Sequence, residues 1–232
     1  MSYAFEPPPT PAVRIQGETA LFPVHRIYCV GRNYAAHARE MGADPSREPP
    51  FFFTKPADAV VRSGSTIPYP ANTSDLHHEI ELVVAIGKGG TDIPVDRALE
   101  HVFGYAVGLD LTRRDRQGEM KAGGKPWDIG KGFDRSAPVG DIVRSSEALS
   151  GGRIWLEVDG EPRQQGSLSD LIWSVRETIA ILSKSWELQP GDLIFTGTPE
   201  GVGPVRPGQT LTGGVDGVGE IRVTIGATGD AG

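Results

Sequence analysis

His78–Gly87 reads HEIELVVAIG. Polar and apolar residues alternate at its start, and the run then turns wholly apolar. That is the pattern of a strand entering a core. Strand side chains alternate between faces, so Glu79 and Glu81 point the same way. Two carboxylates on one apolar face cost several kcal/mol (on the order of 3–5) unless something neutralises them.

A second apolar stretch, Val102–Thr112 (VFGYAVGLDLT), reads as another strand and carries Asp110. Gly104 and Gly108 within it mark bulges or close backbone approach. Three carboxylates without a thiolate make a hard, oxygen-rich set, suited to Mg²⁺, Mn²⁺ or Ca²⁺ rather than Zn²⁺. On pattern alone, a shared metal and a solvated edge-strand face are both open. His77 and His78 are potential extra ligands, although a histidine at a strand start is more often at the surface.

Further strands are expected at Arg26–Gly31 (RIYCVG), Arg153–Asp159 (RIWLEVD), Asp192–Thr196 and Glu220–Ile225. Asp159-Gly160 signals a hairpin. Asn33–Met41 predicts a short helix stopped by Gly42, and Pro94–Glu100 predicts another. Leu171, Ile172, Val175, Ile179, Leu182 and Trp186 fall at helical spacing, with Ser167 and Asp170 as a capping box. Residues 113–136 show no periodicity and read as a long functional loop. The aromatic run Phe51-Phe52-Phe53 is expected in the core or at a subunit contact. Residues 1–24, Pro-rich over 6–12, read as an extended arm, and 25–232 as one catalytic domain.

The 232 residues include 31 Gly and 19 Pro, which favours short strands and tight turns over a helical bundle. The fold class expected is therefore mixed β with short helices (α+β). A net charge of −7 argues against nucleic acid as a partner. It leaves room for a small anion in a locally positive cleft. The lone Cys29 permits no intrachain disulfide, and no secretory or membrane-spanning segment is read, so a cytoplasmic setting is expected.

LHHEIELVVAIGKG, then GYAVGLDLTRRD, then GDLIFTGTPEGVG resemble the fumarylacetoacetate hydrolase superfamily over roughly residues 25 to 226. CVGRNYAAHAREMG and REPPFFFTKPADAVV look most like its single-domain acylpyruvate hydrolases, those acting on fumarylpyruvate in gentisate degradation. The resemblance implies a β roll, usually a homodimer, that hydrolyses the C–C bond of an acylpyruvate. The alternative is decarboxylation of oxaloacetate, or isomerisation or hydration of a related 2-oxo acid. It also implies Mg²⁺ or Mn²⁺ on Glu79, Glu81 and Asp110. Lys131 in DIGKGFD matches a catalytic lysine, and His37 and Glu40 match a His–Glu pair on a lid helix. Arg114, Gln117 and Thr198 match substrate-binding positions, and Arg32 or Arg114 is a plausible partner for a distal substrate carboxylate.

Overall fold

The computed structural model describes residues 2–35 and 48–228. A hairpin, β1 (Ala12–Arg14) and β2 (Leu21–Pro23), leads into β3 (Ile27–Gly31) and β4 (Phe51–Lys55). Next come β5 (Val60–Arg62), β6 (Thr66–Tyr69), β7 (Leu76–His78) and β8 (Ile80–Ile86). They are followed by β9 (Val102–Leu109), β10 (Thr112–Arg113) and helices α1 (Arg114–Ala122) and α2 (Asp128–Lys131). After β11 (Ala137–Val139) and β12 (Val143–Arg144), β13 (Arg153–Val158) forms a hairpin with β14 (Glu161–Ser167). Helix α3 (Val175–Leu182) precedes β15 (Leu193–Phe195), β16 (Gly203–Val205), β17 (Thr210–Val215) and β18 (Gly219–Thr228).

The largest sheet has the order β4-β3-β15-β8-β9-β11-β5, with β12 added on β9. A second sheet runs β14-β13-β17-β18-β6, and a small one β10-β7-β16. Both larger sheets are mixed: β3 with β15 and β6 with β18 are parallel, whereas β8 with β9 is antiparallel. The expected mixed-β class with short helices is what the chain adopts.

Every residue of β8 is buried. Leu82, Val84 and Ile86 share a cluster with Ile154, Leu156 and Val223 of the second sheet. Val83 and Ala85 join Cys29 and Phe195, together with Val13 and Phe22 of the first hairpin. The large sheet is thus a middle layer, and this is why the polar–apolar alternation fades along HEIELVVAIG.

Several expectations are corrected. Residues 113–136 are not an irregular loop but contain α1 and α2. Helix α1 (RDRQGEMKA) buries only Gln117, so it has no apolar stripe for periodicity to reveal. The Ser167–Asp170 capping box closes a single 3₁₀ turn, Leu168–Asp170. A second box, Ser174 with Glu177, starts α3 at Val175. The short helix expected over Pro94–Glu100 is present as a 3₁₀ helix, Val95–His101. Asp159 (φ 54°) and Gly160 (φ 82°) form the predicted hairpin turn. The expected helix over Asn33–Met41 lies largely outside the described residues. Among the described residues no helix is long and apolar enough to cross a membrane.

Candidate active site and metal centre

Strand β8 stops short at Glu79, yet the ladder with β9 continues: Asp110 N donates to Glu79 O (2.8 Å), one step beyond the Ile80–Leu109 pair. Glu79 and Asp110 therefore stand opposite each other, and Glu81 stands opposite Gly108. A side chain at Gly108 would meet Val83 Cγ2 at 2.5 Å and Phe195 at 2.7 Å, so glycine is what lets the strands close here. One carboxylate oxygen from each of Glu79, Glu81 and Asp110 lies within 4.8 Å of the other two, and all three residues are buried. The reading of a solvated edge-strand face is thereby overturned.

Lys131, buried at the end of α2, enters this cluster. Its Nζ donates to Glu79 Oε2 (2.9 Å), Asp110 Oδ2 (2.6 Å) and Thr112 Oγ1 (2.7 Å). Burial acts to lower its pKa, but Asp110 and Glu79 outweigh this and hold it above the ordinary value. Lys55, which sequence reasoning missed, supports it. Lys55 Nζ donates to the Lys131 carbonyl and to Leu111 O (3.2 Å), and lies 2.9 Å from Asp110 Oδ1. That approach makes an ion pair without hydrogen-bond geometry, so Asp110 Oδ1 keeps an unused lone pair.

Glu81 is different. Its Oε2 accepts from Gly197 N (2.7 Å), and no lysine or arginine among the described residues bonds to it. Burial, then the charges of Asp110 and Glu79, push its carboxyl well above the usual range. A buried glutamate under that pressure, beside an orphaned aspartate oxygen, suits a hard divalent cation. The donor set fits Mg²⁺ or Mn²⁺.

Arg114, at the start of α1, is committed to the protein. It pairs with Glu79, donates to Gln117 Oε1 (2.6 Å) and reaches His77 Nδ1 (3.3 Å). Asp115 ties this helix to the turn before β7 by accepting from Thr73 Oγ1 (2.7 Å) and Ser74 N (3.2 Å). Gly130 lets α2 press against α1, because a Cβ there would lie 2.8 Å from Gln117 N. His77 is half-buried and paired with Asp75. His78 is fully buried rather than at the surface, and burial pushes it down to about 4.

The Gly-rich loop 197–203 forms the other wall. Gly197 has φ 100°, and Gly201, at φ 86°, lies so close to Arg163 that a Cβ would meet its carbonyl at 2.1 Å. Asn33, also missed, clamps this wall: Nδ2 donates to Thr196 O (2.8 Å) and Trp173 O (2.9 Å), and Oδ1 accepts from Trp173 N (2.7 Å). Arg32, Glu79, Glu81, Asp110, Arg114, Gln117, Lys131 and Thr198 all line one cleft.

Phe51 and Phe53 wall its mouth with Trp127, at ring centroid separations of 5.2 and 5.9 Å. Phe51 and Phe53 line the cleft, and Phe52 and Phe53 also pack, half-buried, against the core, one of the two places expected for the run. Trp186, at the end of the apolar residues at helical spacing, stays over a third exposed and packs on Tyr28 and Phe52. Arg32 has φ 57° and its guanidinium sits 5.6 Å from the Phe51 ring, with no ion-pair partner among the described residues. The structure brings together all the predicted site residues it describes. His37 and Glu40 lie outside the described residues.

Residues 26–226 match the family model described as fumarylacetoacetate (FAA) hydrolase C-terminal, so the chain belongs to the fumarylacetoacetate hydrolase family. Within that family it is 56% identical to fumarylpyruvate hydrolase from Pseudomonas aeruginosa, solved in complex with Mn²⁺ and pyruvate. That match covers 97% of this chain and 100% of the other, with a TM-score of 0.95. It is 48% identical to a fumarylpyruvate hydrolase of Ralstonia sp, over 79% of this chain and 96% of that protein. It is also 43% identical to a mitochondrial oxaloacetate tautomerase of Arabidopsis thaliana, over 86% and 90%.

Proposed function

We propose that this chain hydrolyses the carbon–carbon bond of an acylpyruvate, with fumarylpyruvate giving fumarate and pyruvate. The observation that carries this reading is the likeness to the Pseudomonas aeruginosa enzyme along almost the whole chain. The buried carboxylate cluster around Lys131 supplies its chemical rationale. Glu79, Glu81 and Asp110 would hold Mg²⁺ or Mn²⁺, which when bound is a Lewis acid for the 2-oxo acid and the enolate it becomes.

The chain's own groups divide the remaining work. Lys131 keeps a fixed positive charge where negative charge develops. Thr198 receives the substrate carboxylate, while Arg114 and Gln117 form the adjoining wall. His37 and Glu40 are three apart in sequence, a spacing that would make them neighbours on a helix, where Glu40 would orient the imidazole and His37 would take a proton from water. Hydroxide adds to the acyl carbonyl carbon, the bond to the methylene carbon breaks, and the acyl half leaves as fumarate. The enolate half is protonated to pyruvate. Arg32 is the natural partner for the distal fumaryl carboxylate, since Arg114 already serves Glu79 and Gln117. A homodimer, a cytoplasmic setting and a place in gentisate degradation complete this reading.

The tautomerase relative favours a second reading, enolate chemistry on oxaloacetate. The same carboxylates and Lys131 would serve it, but it has no need of a base for water. The test compares kcat/KM for fumarylpyruvate, acetylpyruvate, fumarylacetoacetate and oxaloacetate, with and without EDTA. Fumarylpyruvate should lead, and EDTA should abolish turnover. His37→Ala should lose roughly 10²-fold or more of hydrolysis, the scale of a general base, and still bind oxalate. A preference for oxaloacetate, with His37→Ala unimpaired, overturns the hydrolase reading.

A further inference from the structure

Gln164, on β14, is buried and lies between the start of β8 and the Gly-rich loop. Its Oε1 accepts from Ile80 N at 3.0 Å. Its Nε2 donates to Pro199 O at 2.9 Å. A backbone N–H can only donate and a carbonyl can only accept, so these two contacts fix the amide in one orientation. The third contact, Gln164 Nε2 to Thr198 Oγ1 at 2.8 Å, therefore runs from Gln164 to Thr198. Likewise the His78 nitrogen 2.9 Å from Gln164 Oε1 is the protonated one.

Thr198 thus spends a lone pair on Gln164 and keeps its hydroxyl proton. Among the described residues that proton has no acceptor, and Thr198 lines the cleft. We infer that Gln164 is a positioning residue that locks the Thr198 hydroxyl as a hydrogen-bond donor to the substrate carboxylate. The identity of that anion rests on the acylpyruvate reading above. With the opposite polarity Thr198 would turn lone pairs toward a carboxylate, which repels them. A hydroxyl fixed as donor needs no reorganisation when the anion arrives.

The test is oxalate binding to the Mn²⁺-loaded protein by titration calorimetry, with circular dichroism and metal content as controls. Gln164→Glu keeps the shape but reverses the polarity, because an ionised carboxylate accepts the Thr198 proton. It should weaken oxalate about tenfold or more, the scale of one hydrogen bond to a charged group. Thr198→Val should do the same and Thr198→Ser should restore binding. Adding Gln164→Glu to Thr198→Val should cost nothing further. Should Gln164→Glu misfold, Gln164→Met removes the donor without adding charge, and its loss should likewise vanish in the Thr198→Val background. Independent, multiplying losses, or wild-type oxalate affinity in Gln164→Glu, overturn the inference alone. Wild-type protein that takes Mn²⁺ but no oxalate overturns the acylpyruvate reading and the inference with it.

Discussion

Asp110 and Glu81 face the same cluster with different commitments. Asp110 touches both Lys131 and Lys55, whereas Glu81, among the described residues, hydrogen-bonds only the Gly197 amide. Removing one partner of a buried ion pair costs roughly 3–5 kcal/mol, because the other charge stays buried and uncompensated. Asp110→Asn should therefore lose both metal and stability. Glu81→Gln should lose the metal while its metal-free melting temperature stays at or above the wild-type value. Both should bind Mn²⁺ at least about a hundredfold more weakly, since even outer-shell partners are worth about 10–100-fold. Metal analysis and thermal melts without metal check this, and equal destabilisation by the two variants would refute it. The two-residue spacing of Glu79 and Glu81 made their shared face legible in the sequence, and the isolation of Asp110 in an apolar run marked the third group. Lys55 and Gln164 were not legible. Each is a polar residue whose partners are distant backbone and side-chain groups, so no local pattern betrays it.

The elements around the cleft are tied by polar clasps more than by periodic packing. Asn33 joins the loop after β3 to the loop before α3 and to the strand end at Thr196. Asn33→Ala would remove three hydrogen bonds, a buried one to Thr196 O and two half-buried ones to Trp173, and a buried group left unsatisfied costs about 1–3 kcal/mol. We expect a stability loss on the order of 2–4 kcal/mol in urea unfolding and a raised KM, because the Gly197 amide and Thr198 share that wall. Ser174→Ala, at the cap of α3, should cost only about 1 kcal/mol and leave KM unchanged. A normal KM in stable Asn33→Ala protein would show that the clasp does not position the wall. The strands were readable because apolar runs and turn residues bound them. Helices α1 and α2 escaped because their lengths are polar, and they are held by Asp115, Gln117 and Gly130 rather than by an apolar face. The stripe ending at Trp186 misled for the opposite reason: its apolar residues span two separately capped segments.

For the molecule as a whole, an ion that binds the folded chain alone adds RT ln(1 + [L]/Kd) to stability. That is about 2.7 kcal/mol at a hundredfold excess over Kd. Mn²⁺ should raise the Tm of the wild type progressively with concentration and leave the Tm of Glu81→Gln unmoved. A wild-type Tm indifferent to Mn²⁺ would remove the carboxylate cluster as a metal centre.

Sheet order has its own consequence in time. Strand β15 sits between β3 and β8, and the loop after it delivers Gly197 to Glu81 from 116 residues further along the chain. A ribosome extends a chain by about 5–20 residues each second, so roughly 6–23 seconds separate the synthesis of these two partners. Throughout that interval β3 and β8 both exist, and each presents a bare edge where the missing strand belongs. Exposed edges of this kind recruit other chains. The emerging polypeptide is therefore most vulnerable to chance pairing just before its last fifth appears, and a chaperone that shields strand edges during translation would raise its yield more than one acting after release.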